Sequence, residues 1–136
     1  MMSKGQKILI ADNDETVLIA LEHILENGGY ATCTALSHGE VAKLVGRENF
    51  DLCVMDDYLS DQDSVEVLAG FREAGKSPLV VVTYNRFPSP HQERQFRSLG
   101  VSAFVNKKAH RELVDIVSQL LEPMPGHPRE AFEHMT

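Results

Sequence analysis

The stretch FDLCVMDDYLSD, residues 50–61, holds an apolar run, Leu52 to Met55, that ends abruptly in two aspartates, Asp56 and Asp57. A run this short and this continuous reads as a strand buried on both faces. Two carboxylates at the point where such a strand surfaces raise the question of whether they do chemistry or only keep a loop in water. The neighbouring segments repeat the theme. KILIA (7–11), PLVVVT (78–83) and SAFVN (102–106) are also short, continuous and β-prone, and YATCTA (30–35) is a more polar run that suits an edge of the sheet.

Between these runs lie amphipathic stretches of helical period. Val17, Leu18, Leu21, Ile24 and Leu25 form a stripe within 14–27, closed by Gly28 and Gly29. SHGE (37–40) has the form of a capping box, followed by Val41, Leu44 and Val45 on one face. Residues 64–74 carry Val67, Leu68 and Phe71 and stop at Gly75. SPHQ (89–92) combines a serine N-cap, a proline in the first turn and a glutamine at the third position; the helix it starts is almost wholly polar, anchored by Phe96 and Leu99. The last helix, 110–122, turns Leu113, Ile116, Val117, Leu120 and Leu121 inward. Five βα units with short connections predict an α/β fold, a doubly wound parallel sheet covered on both faces. The tail, EPMPGHPREAFEHMT, is rich in proline and polar residues, so residues 1–122 are expected to form the domain and 123–136 a flexible tail or a severed linker.

Composition narrows the function classes. The chain has 136 residues, 43% hydrophobic and 24% charged, which suits one core. A net charge of −7 argues against a nucleic-acid surface, which needs a basic face. No apolar run is long enough for a bilayer and no cleavable signal opens the chain. Cys33 and Cys53 make no metal-binding or redox pair and are expected to be reduced, buried thiols of a cytoplasmic protein. The six histidines show no zinc spacing.

Open parallel sheets bind ligands beyond the carboxyl ends of their strands. Asp12, Asn13 and Asp14 follow the first strand, Asp56 and Asp57 the third, Thr83 ends the fourth, and Lys107 and Lys108 follow the fifth. Carboxylates gathered on one rim repel unless a cation lies among them, and Mg²⁺ takes one or two carboxylates while keeping water and phosphate oxygens. A carboxylate beside Mg²⁺ can attack a phosphoryl group, and a lysine and a hydroxyl can hold the oxygens of that group. Asp12, Asp56, Thr83 and Lys107 supply those parts.

With these residues in place, ILIADND (8–14), DLCVMDDYLSDQD (51–63), PLVVVTY (78–84) and GVSAFVNKK (100–108) resemble the receiver domain of bacterial two-component response regulators, over residues 7 to about 122. The resemblance implies a flavodoxin-like (βα)5 fold of strand order 2-1-3-4-5. It also implies a signalling switch, not an enzyme, with at most self-catalysed phosphotransfer and autodephosphorylation. A sensor histidine kinase or histidine phosphotransfer protein would phosphorylate it with Mg²⁺ as cofactor, and the surface of the fourth helix, fifth strand and fifth helix would change for an unidentified downstream protein. A homodimer is a further option. Asp51, Leu59, Asp61 and Asp63 set the register in which Asp56 is the acceptor. Thr83 and Lys107 match the catalytic hydroxyl and lysine. Asp12, Asn13, Asp56 and the carbonyl of Tyr58 match the metal ligands. Phe104 falls at the aromatic switch that acts with Thr83, or is a plain core aromatic.

Several positions depart from that pattern. Asn13 is neutral where an acid is expected, which predicts weak Mg²⁺ binding. Asp57 stands where an apolar residue is usual; extended geometry there would turn its side chain to the opposite face of the sheet, outside the chemistry. Tyr84 replaces a small residue and is either an access gate over the acceptor or a ring swung outward over its loop. Ser60 and Ser64 stand where proline and glycine are frequent. Lys108 replaces a proline, so the Lys107–Lys108 bond is expected to be trans, or a strained cis bond held by its surroundings. Ile19, Ala20 and His23 flank the core stripe of the first helix, where the resemblance implies kinase docking. Two other readings stay open: a degenerate receiver that acts as a phosphorylation-independent interaction or dimerisation module, and a Mg²⁺-dependent phosphohydrolase, whose haloacid-dehalogenase-type motif D-N-D-E-T (12–16) fits only loosely.

Overall fold

The computed structural model describes residues 5–59 and 62–122. Ser60, Asp61 and the tail 123–136 lie outside the described residues, as do the side chains of Gln62 and Asp63. The main elements alternate: β1 (Lys7–Ala11), α1 (Glu15–Asn27), β2 (Ala31–Ala35), α2 (His38–Arg47), β3 (Leu52–Asp56), α3 (Ser64–Glu73), β4 (Leu79–Tyr84), α4 (Pro90–Ser98), β5 (Val101–Asn106) and α5 (His110–Leu121), with a two-residue antiparallel pair between β3 and α3. The five strands form one parallel sheet of order β2-β1-β3-β4-β5. The more polar β2 lies at an edge, as its composition predicts.

Alternation along each strand sorts the core into two layers. Leu9, Ala11, Cys53, Met55, Val80 and Val82 face α2, α3 and α4, where Val41, Val45, Leu68, Phe71 and Phe96 close the layer. Ile8, Ile10, Leu52, Val54, Val81 and Val105 face α1 and α5, against Leu18, Leu21, Leu25, Leu113, Val117 and Leu120. Cys53 is buried, but Cys33, on the edge strand, is only half-buried; both thiols are free. Among the described residues no helix is long and apolar enough to cross a membrane.

The helix starts follow local chemistry. Asp14 caps α1, its carboxylate accepting from the Thr16 N–H at 2.9 Å. Ser37 accepts from the Glu40 N–H at 3.3 Å, while the Glu40 carboxylate reaches back one residue further than a capping box requires, to the Leu36 N–H at 2.6 Å. At α4 the reciprocal box between Ser89 and Gln92 is complete, with Pro90 in the first turn. The far end of α4 is held from α3: Arg72 donates from Nε to the Leu99 carbonyl at 2.8 Å and from Nη1 to the Lys76 and Pro78 carbonyls, each at 3.3 Å.

Candidate phosphoacceptor site

The rim at the carboxyl ends of β1, β3, β4 and β5 gathers the residues singled out by the sequence. Asp56 and Thr83 are the last outward members of the series that faces α1 and α5, and they stand opposite each other in the β3–β4 register. Asp12 and Lys107 continue the same series from Ile10 and Val105. Asp12, Asp56 and Thr83 are nearly sealed from solvent, at 1%, 5% and 3% exposure. Lys107 joins the two acids: its Nζ donates to Asp56 Oδ2 at 3.0 Å and lies 2.9 Å from Asp12 Oδ2. The approach to Asp12 has the distance of an ion pair but not the alignment of a hydrogen bond, so Asp12 Oδ2 is a buried carboxylate oxygen without an aligned donor. Asp12 Oδ1 accepts the Asp14 N–H at 2.8 Å, which ties the acid to the start of α1.

The backbone locks this arrangement. The Lys107–Lys108 bond is trans, like every peptide bond among the described residues. Lys107 N–H donates to the Tyr84 carbonyl at 2.8 Å, and Lys108 N–H and Ala109 N–H both return to Asn106, at 2.9 Å each. That turn carries the ammonium back over the sheet without a proline. Ser64, at the glycine-rich position, is fully buried and donates from Oγ to the Asp56 carbonyl at 2.6 Å, bracing the acceptor's own backbone.

Burial, above all, pushes the Asp56 carboxyl up to about 7; the hydrogen bond and charge of Lys107 pull it down, while the charge of Asp12 and the neighbouring Asp57 carboxylate, which accepts from the protonated acid, push it further up. Burial works against the Lys107 ammonium too, but its contacts with Asp12 and Asp56 outweigh that and its pKa is raised.

Asp57 corrects a sequence expectation. β3 ends at Asp56, and the chain bends at Asp57, whose N–H donates to the Thr83 carbonyl at 2.9 Å and whose carbonyl accepts from Ser64 N–H at 3.3 Å. Extended geometry does not persist, and the half-buried Asp57 carboxyl lies near enough to Asp56 to help raise its pKa. Tyr58 follows with an exposed side chain, in a two-residue antiparallel pair, Tyr58–Leu59 with Gln62–Asp63, that the sequence did not announce. Asn13 is exposed in the bend after Asp12. Among the described residues no three His, Cys, Asp or Glu side chains close into a ready-made metal cage.

Tyr84 and Phe104 lie on the other face. Tyr84 continues the series of Val80 and Val82, and Phe104 pairs with Val82 and is half-buried against the α4 layer. The Tyr84 ring meets Phe87 of the β4–α4 loop edge-on, with centroids 5.2 Å apart at 83°. Phe87 was not singled out by the sequence; an aromatic a few residues past the strand end, in a loop otherwise made of turn residues, was the only available signal.

Comparison with known proteins follows the same outline. The model of a family described as "Response regulator receiver domain" matches residues 8–118. Over 81 residues the chain is 35% identical to the alginate biosynthesis transcriptional regulatory protein AlgB of Pseudomonas aeruginosa, which covers 59% of this chain and 18% of that protein. Over 69 residues it is 35% identical to the alkaline phosphatase synthesis transcriptional regulatory protein PhoP of Bacillus subtilis, covering 51% and 29%. The chain thus matches less than a third of the length of either relative. Among solved structures, a CheY-like response regulator receiver domain protein from Methanospirillum hungatei superposes with a TM-score of 0.81 at 23% identity, over 90% of this chain and 98% of that one. A response regulator protein from Burkholderia pseudomallei, solved with a phosphorylated aspartic acid, calcium ion and citrate, gives 0.74 at 23% identity, over 87% and 67%. At such identities the structural likeness is one of fold.

Proposed function

The chain belongs to the response regulator receiver domain family, and from that premise we propose that it is a phosphoacceptor switch in which Asp56 takes a phosphoryl group from the phosphohistidine of a sensor kinase or phosphotransfer protein. The observation that carries the reading is Lys107 Nζ set between Asp12 and Asp56 at 2.9 and 3.0 Å, with Thr83 opposite Asp56. An Asp56 carboxylate oxygen forms the bond to phosphorus as the bond from phosphorus to the donor's ring nitrogen breaks. Lys107 is already in reach of the acceptor to neutralise the phosphoryl oxygens, and the Thr83 hydroxyl is placed beside the strand end where those oxygens arrive.

The site suits a hard cation. Its donors are oxygens, and the buried Asp12 Oδ2 lacks an aligned donor. Asp12 and Asp56 would hold Mg²⁺, with the Tyr58 carbonyl and the Asn13 amide oxygen as neutral ligands. A two-carboxylate set matches an ion that keeps several waters. When bound, Mg²⁺ supplies positive charge that favours the ionised form of Asp56 and screens the incoming phosphoryl group. Without it, an Asp56 pKa of about 7 leaves much of the acceptor protonated and non-nucleophilic at neutral pH.

The output is protein recognition in the cytoplasm. The surface built from α4, β5 and α5 is read by a downstream protein, and the acidic chain, at −7, is not itself the nucleic-acid contact. Intact mass after incubation with acetyl phosphate, with and without Mg²⁺, on wild type and Asp56→Asn, tests the proposal. One added phosphoryl group that needs both Mg²⁺ and Asp56 supports it. No gain from acetyl phosphate or from a histidine phosphotransfer protein favours instead the phosphorylation-independent interaction module, the reading that the neutral Asn13 supports.

A further inference from the structure

The loop between β4 and α4 carries a phenylalanine, Phe87, with 47% of its surface exposed. Its ring is nevertheless engaged by two others. Tyr84 lies with centroids 5.2 Å apart and nearly perpendicular at 83°. Phe104 lies at 5.6 Å and 52°. Phe104 in turn meets the fully buried Phe96 at 5.9 Å and 70°, and the Arg97 guanidinium lies 4.9 Å from the Phe104 ring centre. Arg97 is itself held by Glu93 at 2.9 Å. Aromatic rings thus run unbroken from the residue after Thr83 to the buried anchor of α4.

The loop that presents Phe87 is fixed at its far end. Pro88 is buried, and Ser89 and Gln92 complete the capping box that starts α4. Tyr84 is fixed at its backbone, since its carbonyl accepts the N–H of Lys107, the residue that reaches Asp56. Strand alternation starts the Tyr84 side chain toward the α4 face; what the backbone leaves free is its rotation about the Cα–Cβ bond. That side chain stands one residue beyond Thr83, at the lip of the acceptor site. Held by Phe87, it lies on the α4 face; released, it can rotate over the rim toward the mouth of Asp56.

We propose that Phe87 is a positioning residue for phosphoacceptance: its ring clasps Tyr84 on the α4 face, keeps the mouth of Asp56 open to phosphodonors, and links that opening to Phe104. The clasp rests on the reading of Asp56 as acceptor, and it assigns a task to a loop residue that touches neither phosphoryl group nor metal. Because Phe87 holds Tyr84 and Phe104 together, movement of Phe104 toward or away from α4 changes how firmly Tyr84 is retained. The state of the α4 surface thereby sets access to the acceptor.

The test is a double-mutant comparison of the phosphorylation rate with acetyl phosphate in Mg²⁺, on wild type, Phe87→Ala, Tyr84→Ala and the double variant, with Phe87→Tyr as the conservative replacement. An edge-to-face pair has a strength that corresponds to roughly a threefold to tenfold shift between held and released rings, so Phe87→Ala is expected to slow the reaction by about that factor. Phe87→Tyr keeps the wild-type rate. The double variant reacts as fast as Tyr84→Ala, because with the tyrosine gone there is nothing for the clasp to hold. A merely structural role for Phe87 gives the opposite pattern, a slow Phe87→Ala and an equally slow double variant, and overturns the proposal; so does a Phe87→Ala rate equal to wild type. A second readout needs no phosphorylation. In protein labelled with fluorotyrosine, the Tyr84 resonance is indifferent to Asp56→Asn while Phe87 is present and shifts with Asp56→Asn once Phe87 is alanine, because only the released ring reaches the mouth of Asp56. If wild type accepts no phosphoryl group from any donor, the acceptor reading fails, and the fluorine signal alone decides the clasp: a Tyr84 resonance that responds to Asp56→Asn only in the Phe87→Ala protein upholds it, and one that responds equally in both or in neither overturns it.

Discussion

Replacing Asp56 with asparagine stabilises the metal-free fold at alkaline pH, even though it removes the acceptor. The Asp56 carboxyl titrates at about 7 in the folded protein against 3.8 for the ordinary side chain. Between those values the folded state holds a proton that the unfolded chain releases, so stability falls as pH climbs from about 4 to about 7 and the deficit is complete above 7. The difference in pKa corresponds to about 4 kcal/mol at pH 8 and only about 1 kcal/mol at pH 4.5. Asparagine never ionises and, like the protonated acid, offers Lys107 a neutral oxygen, so it escapes a deficit that already includes the attraction of Lys107. The net gain is therefore about 4 kcal/mol at pH 8, more than about ten degrees in Tm for a domain of this size. Near pH 4.5, where Asp56 is protonated in the folded protein, the gain shrinks to about 1 kcal/mol. Thermal melts of both proteins in a chelator at the two pH values measure this directly. Added Mg²⁺ narrows the gap, because it binds the wild type more tightly and stabilises it by mass action. A variant no more stable than wild type at pH 8, or one equally favoured at pH 4.5, refutes the argument that burial and the neighbouring acids strain Asp56.

Two further outcomes follow from named contacts. Asn13→Asp restores a second charge to the bend after Asp12 and is expected to tighten Mg²⁺ binding roughly tenfold, on the scale of a partly solvated ion pair; calorimetric titration that finds equal affinity refutes the weak-metal reading. Arg72→Met leaves the carbonyls of Leu99, Lys76 and Pro78 without their donor and is expected to lower stability by about 2–3 kcal/mol in urea unfolding; a change below about 0.5 kcal/mol means water replaces the guanidinium at all three.

The order of elements was legible because each signal was local. The stripe of Leu18, Leu21 and Leu25, the caps at Ser37 and Ser89 and the stop at Gly75 all act within a few residues of themselves, so their boundaries agree with the structure to within about one residue. The polar composition of β2 identified an edge strand. The two-residue pair after β3 left no signal, because a pairing of Tyr58 and Leu59 with Gln62 and Asp63 is too short to show a period.

For the site, sequence by itself determined which residues reach the rim. Strand ends are set by apolar runs, and Asp12, Asp56, Thr83 and Lys107 each follow one. Only the tertiary structure decided how they meet. Lys107 joins Asp12 to Asp56 because the turn at Asn106 folds the chain back, a matter of backbone hydrogen bonds between β4 and β5. Asp57 acts on the charge of Asp56 because β3 stops one residue earlier, where the chain bends and the Asp57 N–H finds the Thr83 carbonyl. Tyr84 turns to Phe87 and the α4 face through strand alternation and a loop partner that no periodicity encodes. Period and capping are properties of neighbours in the chain; the direction of a side chain at a strand end depends on neighbours in space.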